Sequence, residues 1–565
     1  MESIKSEIVK ELEKLDVKNT RLEKPPENID ADLSFPCFDL AKELKKNPVE
    51  IAKDISSKLK IKNIKEVKPL GPYVNFYIDW EKIGSVVLSE ILKNKEKYGS
   101  SSAGNRSADR FRPSHENVIM DVYQANPFKS FHIGHIRNAI FGESVRRLLE
   151  FTGRKTTTVT YNGDVGVHVA RWLWYYNNFY KGSVPKENFT KWAGQIYAES
   201  SKKMEEDKKY EEEMNEVNRK MDRRDPKLME EWKRFRQMCY DDYEKIAKEL
   251  QVKVDHNIPE SECEEPGKKL VKELYSQSKL VNSEGAIGID LKKYNLGFFI
   301  LLKSDGTALY STKDFGLRQL KNKLGKFDKF LYVVGSEQDL YFQQLFKVYE
   351  ILGFSHGEHK HLSYGLVTLK EGKMASRLDN VILYEDLRDE MVKMALEQID
   401  AKNPDLKNKK EVAKQVAFAA IKFQMLSIEN QKFIKFDWEQ AIDINGRSGP
   451  YLQYTTVRAN KILEKEKPPI KFDGSLLKEK SEIEILKHLA EFPETVKRSA
   501  ENYSPHILTN YLFDLAQKFN TFYQSIQVLK AEQETKSARL ALVKAVSIVL
   551  ENGLDLLGIE IPKEM

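Results

Sequence analysis

Apolar positions along the chain fall into short continuous runs and helix-spaced stripes. Ile4, Ile8, Val9, Leu12 and Leu15 recur at helical spacing, and after the turn at Asn47-Pro48 so do Ile51, Ile55 and Leu59. Beyond Gly71-Pro72, the run Tyr73 to Ile78 alternates like a strand. A small α/β module is expected at the amino terminus, ended by the Gly/Ser-rich stretch from Tyr98 to Asn105, which reads as a flexible linker. Val118 to Val122 predicts a buried strand; Ile136, Ile140, Phe141, Val145, Leu148 and Leu149 then mark a helix that Gly153 closes. Thr156 to Tyr161 is a β-branched strand running into the turn Asn162 to Gly166. Strand and helix alternating in this way predict a multidomain α/β chain whose centre is a doubly wound parallel sheet, with ligands at the carboxyl ends of the strands.

Lys186 to Lys253 is long, charged and helical, and reads as a solvated insertion in that domain. Strands resume over Ala286 to Leu291 and Phe298 to Lys303, and Ser304-Asp305-Gly306 signals a hairpin turn. From about Lys410 the pattern is helical throughout: Phe418, Ile421, Met425 and Leu426 form one face, and Leu508, Leu512, Leu515, Phe519 and Phe522 another. At 565 residues the chain exceeds one core and suggests roughly three or four domains. The divisions expected are 1–105, 115–405 with the insertion at 186–253, and 410–565.

Charge changes this picture little. Lys and Arg number 92 against 86 Asp and Glu, a net of +6, which permits an RNA partner without demonstrating one. Cys37, Cys239 and Cys263 are far apart with no CxxC pair, an argument for a reducing compartment and against a structural zinc site. The amino terminus has no continuous apolar core and no run elsewhere approaches bilayer length, so a cytoplasmic protein without a membrane partner is expected.

The candidate chemistry centres on His132-Ile133-Gly134-His135, where strand turns into helix. Backbone N–H groups and the positive end of a helix dipole can hold phosphate there, and Gly134 lets a ligand approach the backbone. Two imidazoles can donate to phosphate oxygens, or they can simply cap the helix. Lys129, three residues upstream of His132, favours the phosphate reading by adding a cation to the same mouth.

The segment Asn126 to Asn138 resembles the HIGH signature of class I aminoacyl-tRNA synthetases, in the version carried by arginyl-tRNA synthetases. Lys373-Met374-Ala375-Ser376-Arg377 resembles the second class I signature, KMSKS, in the degenerate form that lacks the second lysine. Gly163 to Gly166 matches a Gly-Asp-Trp-Gly pattern of the family, with Val165 in the Trp position. Segments Leu33 to Leu44 and Gly71 to Asp79 resemble the amino-terminal domain that touches the tRNA elbow; Gly449 to Tyr454, Arg458, Tyr511 to Ala516 and Leu557 to Met565 resemble the helical anticodon-binding domain.

This resemblance implies ATP-dependent activation of L-arginine to arginyl-adenylate and its transfer to tRNA(Arg), by a protein expected to be a monomer. Magnesium would travel with ATP, and no dedicated metal site is implied. In-line transfer needs positive charge and positioning rather than a protein nucleophile. His132, Gly134, His135, Lys373 and Met374 are therefore the ATP candidates, and Lys129, His132, His135, Lys373 and Arg377 the catalytic ones. The family pattern carries arginine binding onto Asp121, Asn126, Tyr310, Asp314 and Gln338, with Asp121 one methylene shorter than the more usual Glu; for Asp314 a strand-end cap is the other reading. Contacts to tRNA fall on Tyr73, Asn75, Tyr451, Gln453, Tyr454, Arg458 and Met565, although an ordinary strand also explains Tyr73 and Asn75. The family further implies an adenylate step that waits for tRNA. Two rivals are another class I synthetase, disfavoured by the arginyl-type segments, and an RNA-binding paralogue without activity, disfavoured because Lys129, His132, His135 and Lys373 are all present.

Overall fold

The computed structural model describes residues 1–18, 20–26, 28–101, 116–354, 356–370 and 382–565. Its chain divides into two compact units, one of Met1–Pro113, Thr455–Val496 and Tyr511–Gly553, the other of Ser114–Tyr454, Lys497–Asn510 and Leu554–Met565.

The first unit opens with helix α1 (Glu2–Glu13), whose Ile4, Ile8 and Leu12 are buried, as their spacing requires. Three antiparallel strands follow, β1 (Leu33–Pro36), β2 (Ile64–Leu70) and β3 (Tyr73–Ile78), with β3 central. Helices α2 (Phe38–Leu44), α3 (Pro48–Lys58) and α4 (Trp80–Asn94) complete the module. Asn47 caps α3 by accepting from the Val49 N–H at 2.9 Å, and Pro48 fills its first turn. Tyr98, at the start of the expected linker, is buried and donates to the Leu489 carbonyl at 3.0 Å; residues 102–115 lie outside those described.

The second unit is built on five parallel strands in the order β11-β10-β4-β5-β6: β4 (Asn117–Tyr123), β5 (Lys155–Asn162), β6 (His256–Pro259), β10 (Lys329–Gly335) and β11 (Glu358–Tyr364). Between β6 and β10 an antiparallel set, β7 (Val281–Ser283), β8 (Ala286–Asp290) and β9 (Phe298–Leu302), interrupts the winding, and the turn after β9 closes with Lys303 N–H on Thr307 O at 3.1 Å. The chain leaves β4 toward β5 and later returns to β10 on its other side, so the strand order reverses beside β4. Ligands collect at such a switch point.

Helix α5 (Ile133–Phe151) runs back over one face of this sheet. Gly142 permits its close approach, since a Cβ there would stand 2.9 Å from the Val122 carbonyl. Asn138 donates to Val333 O at 3.0 Å and fastens α5 to β10 as well. The opposite face packs on α10 (Glu260–Ser276), α11 (Tyr310–Leu324) and α12 (Asp339–Ile351) through Cys263, Val271, Phe315, Leu345 and Val348.

The charged stretch expected as a solvated insertion is only partly so. It forms α7 (Phe189–Glu206), α8 (Lys209–Asp222) and α9 (Pro226–Leu250), after α6 (Val167–Asn178). Helix α9 buries Trp232, Phe235, Cys239, Tyr243, Ile246 and Leu250. Their spacing of three and four residues is an apolar stripe that the surrounding charge conceals.

Candidate active site

The loop between β4 and α5 presents the first group of candidates. Phe128 holds a φ of 69°, a left-handed backbone that a bulky residue adopts at about 1–3 kcal/mol. Packing maintains it: the buried ring meets Trp172 edge-on with centroids 5.2 Å apart, and the Phe128 N–H donates to Cys239 Sγ at 3.4 Å. Lys129 follows directly, its Nζ 5.1 Å from the centre of the Tyr197 ring, which also carries Arg171 at 4.3 Å. His168 sits nearby with Nε2 3.1 Å from the Gly163 carbonyl.

His132 and His135 are both caps and candidate ligands. His132 Nδ1 accepts from the Gly134 N–H at 3.2 Å, His135 Nδ1 accepts from the His132 N–H at 3.2 Å, and the two rings stack at 3.8 Å. Burial and then the neighbouring Lys129 hold His132 at about 4, and burial, His132 and Lys129 hold His135 well below the usual imidazole range. Both rings are neutral at pH 7. A neutral imidazole that accepts at Nδ1 carries its proton on Nε2, so each ring keeps one donor for an anion. Capping is thus what orients the donors.

An acidic group lies beyond the end of β5. Tyr310 to Asp314 opens α11, so Asp314 stands on a helix and not at a strand end. Its carboxylate accepts from the Tyr341 hydroxyl, and the Tyr349 hydroxyl donates to its carbonyl at 3.2 Å. Burial raises the Asp314 carboxyl to about 7, against the pull of Tyr341 and Lys321. Lys313 pairs with Glu260 at the start of α10. Gly163 ties this group to the first: its N–H donates to Asn126 Oδ1 at 3.0 Å, and a Cβ there would fall 2.9 Å from Glu260 Oε2. Tyr310 is 74% exposed, and Gln338 is exposed on a short 3₁₀ turn after β10.

Asp121, also expected as an arginine contact, is buried, and both its carboxylate oxygens lack a hydrogen-bond partner among the described residues. It is 1% exposed and lies 2.6 Å from Lys321 Nζ, itself 1% exposed, at the core of the sheet. Two expected tRNA contacts are also interior. Asn75 is 2% exposed and accepts from the Ser34 hydroxyl; Gln453 is fully buried and donates to Gln415 O at 3.2 Å and Glu560 O at 2.6 Å. Burial in a sheet or between helices demands such partners. Tyr73 is half-buried, edge-on to Phe38 at 5.5 Å. Tyr451, Tyr454 and Arg458 lie on the helix Gly449–Lys465, Arg458 donating to Asn520 with its guanidinium 5.0 Å from the Tyr523 ring, and Met565 is half-buried.

Lys373, Met374 and Arg377 lie outside the described residues. Ile382 O accepts from the Ile133 N–H at 2.9 Å, Tyr384 N–H donates to Phe131 O at 2.9 Å, and Leu383 bridges to His132. One flank of the second signature is therefore joined by main-chain hydrogen bonds to the first.

Sequence reasoning missed several partners. Tyr243 on α9 donates to Asn126 O at 2.8 Å, and Asp164, fully buried, holds Arg236 at 2.9 Å and accepts from the Ser261 N–H at 2.8 Å. The only signal for the α9 residues is the apolar stripe. Among the described residues no helix is long and apolar enough to cross a membrane.

Comparison with known proteins agrees with this arrangement. Residues 2–78 match the family model described as arginyl tRNA synthetase N terminal domain, 89–438 that for tRNA synthetases class I (R), catalytic domain, and 452–565 that for DALR anticodon binding domain. The chain is 33% identical over 548 residues to an arginine–tRNA ligase of Halothermothrix orenii, covering 96% of this chain and 95% of that one. It is 35% identical over 547 residues to one of Lactococcus lactis subsp. cremoris, with the same coverage. The solved arginyl-tRNA synthetase of Thermus thermophilus superposes with a TM-score of 0.82 at 26% identity, each chain covered in full. Three domain matches in chain order and full-length relatives, set beside a HIGH-type helix start whose backbone is bonded to the flank of the second signature, make this chain a member of the arginyl-tRNA synthetase family.

Proposed function

We propose that this protein activates L-arginine with ATP and transfers the arginyl group to tRNA(Arg). An arginine carboxylate oxygen attacks the α-phosphorus, the bond to pyrophosphate breaks, and arginyl-adenylate forms. A ribose hydroxyl of the terminal adenosine then attacks the carbonyl carbon, AMP leaves, and the hydroxyl proton is released. The observation that supports this most is the main-chain pairing of Phe131 to Ile133 with Ile382 to Tyr384, because it joins a phosphate-type helix start to the flank of the second signature beside a carboxylate pocket.

In this reading His132 and His135 donate from Nε2 to the triphosphate, Gly134 admits the nucleotide, and Lys129 neutralises charge on the α-phosphate and departing pyrophosphate. Lys373, Met374 and Arg377 act on the same phosphates from the second signature. Asp121, Asn126, Tyr310, Asp314 and Gln338 receive the arginine, with Asp314 opposite the guanidinium. In this reading magnesium travels with ATP, and no step is routed through a protein-held ion.

Residues 1–105 serve the tRNA elbow through the Tyr73 strand, with Asn75 holding that strand in place, and 410–565 the anticodon through Tyr451, Tyr454, Arg458 and Met565, with Gln453 as an internal brace. Residues 115–405 carry the chemistry, with 186–253 partly built into it. The protein works as a cytoplasmic monomer without a membrane partner.

Arginine-dependent exchange of pyrophosphate into ATP is expected to be negligible with protein alone and to appear when tRNA(Arg) is added, since distant contacts supply binding energy that completes the site. A tRNA(Arg) truncated at its acceptor end is expected to activate exchange too. Robust exchange by RNA-free protein would remove the coupling and leave the assignment standing; no exchange and no charging with tRNA present would remove the assignment.

A further inference from the structure

Arg137 lies on α5 two residues beyond His135, and none of the roles assigned above uses it. It is 2% exposed, and its planar fork spans two backbone acceptors: Nη1 donates to Met425 O at 2.9 Å and Nη2 to Asn430 O at 2.8 Å. The guanidinium also lies 5.8 Å from the centre of the Tyr364 ring, and its Nε is buried without a hydrogen-bond partner among the described residues. Neutral carbonyls offset the desolvation of so enclosed a cation only in part. Filling space is therefore no reason for a charge here; bridging two carbonyls is.

The Asn430 carbonyl is a junction. It also accepts from the Gly365 N–H at 2.9 Å, and Gly365 follows directly on Tyr364, the last residue of β11. A Cβ on Gly365 would fall 2.5 Å from Lys432 O, so glycine lets the two segments meet. Beyond it β12 (Val367–Leu369) pairs in parallel with β13 (Ile434–Phe436). Ile434 N–H donates to Leu366 O at 2.9 Å, Lys370 N–H to Phe436 O at 3.1 Å, and Lys370 Nζ stands 2.6 Å from Asp437 Oδ2. Lys373 follows three residues later in the sequence.

We propose that Arg137 is a positioning residue: by gripping the Met425 and Asn430 carbonyls it sets residues 430–437, and through them the strand that leads into the second signature, against the phosphate end of α5. This rests on the reading above, in which Lys129, His132 and His135 act on the same phosphates as Lys373 and Arg377. The flank after the second signature is bonded to the start of α5 through Ile382 to Tyr384; Arg137 supplies the tie for the flank before it. A lysine cannot replace it, since a point ammonium does not reproduce the fork and leaves one buried carbonyl without its donor.

The test is a double-mutant cycle on full-length protein with tRNA(Arg), read as arginine-dependent exchange of pyrophosphate into ATP. Arg137→Lys is expected to lower kcat by about tenfold to 100-fold, the cost of a small misplacement of catalytic groups, with arginine KM within about twofold of wild type. Lys373→Ala alone is expected to cost about 100-fold, and on that background Arg137→Lys is expected to cost less than about twofold, because its effect runs through the second signature. A residue that only stabilises the fold would cost the same factor in both backgrounds. Gly365→Ala disturbs the same junction from the other side and is expected to give the same pattern; it carries the test where Arg137→Lys does not fold. Losses that multiply, a loss that falls on arginine KM, or wild-type kcat in Arg137→Lys overturn the role of Arg137, and wild-type kcat in Lys373→Ala overturns the route through the second signature. No arginine-dependent exchange by the wild type with tRNA(Arg) present is instead the failure of the functional reading.

Discussion

His135→Asn lowers kcat for arginyl-adenylate formation by about 100-fold to 1,000-fold while leaving the fold and tRNA binding nearly intact, the loss expected when one preorganised donor to a transition-state oxyanion is removed. The substitution separates the two jobs of this imidazole. An Asn oxygen occupies the place of Nδ1 and can still accept from the His132 N–H, now bonded at 3.2 Å, so the helix start stays capped. The Nε2–H is lost. Because burial holds the imidazole well below its usual range, the wild-type donor is neutral across physiological pH, and the deficit is expected to be independent of pH between about 6 and 9. Circular dichroism, thermal melting and tRNA affinity serve as controls. A matching loss of tRNA affinity or of several degrees in Tm would make His135 a structural cap only.

Asp314→Asn raises the KM for arginine by about 10-fold to 150-fold at pH 8, with the KM for ATP little changed, corresponding to roughly 1.5 to 3 kcal/mol for one charge-assisted contact. An amide keeps the shape and still accepts from the Tyr341 hydroxyl, so the pocket is not opened. The pH dependence gives a second reading of the same group. Its carboxyl is raised to about 7, above its unfolded value, so in the free protein it is protonated below that pH and ionised above it. Arginine KM therefore climbs as pH falls below about 7 in the wild type, by up to tenfold per unit, and is flat in Asp314→Asn. The same shift disfavours the ionised carboxyl in the folded state, so this group destabilises the free protein as pH rises from the unfolded carboxyl range to about 7 and arginine offsets that penalty. An arginine KM unmoved by Asp314→Asn would take the guanidinium away from this pocket.

Much of the catalytic centre was legible because its elements are short-range. Val118 to Val122 and the stripe from Ile136 to Leu149 show a strand and a helix by periodicity alone, and the His pair between them marks the turn. Burial of individual polar residues was not legible. Asn75 and Gln453 were expected as tRNA contacts on the family pattern, and only the tertiary partners Ser34, Gln415 and Glu560 reveal them as interior. The pairing of Asp121 with Lys321 joins residues 200 positions apart on two elements, a relation that no local pattern encodes. Helix α9 was obscured by composition: its charged neighbours dominate a count, while the stripe from Trp232 to Leu250 decides its packing. That packing matters to function, since α9 supplies Tyr243 to the Asn126 loop and Cys239 to the strained Phe128.

The central claim, that arginine is the amino acid joined to tRNA by this site, is tested most directly by aminoacylation. Purified protein, ATP and tRNA(Arg) are supplied with each proteinogenic amino acid singly, and amino acid bound to the terminal adenosine is measured. Arginine alone is expected to accumulate on the tRNA, with lysine excluded because a point ammonium cannot match a pocket shaped for a planar fork. Charging with any other amino acid, or binding of tRNA(Arg) without transfer of arginine, would contradict the account.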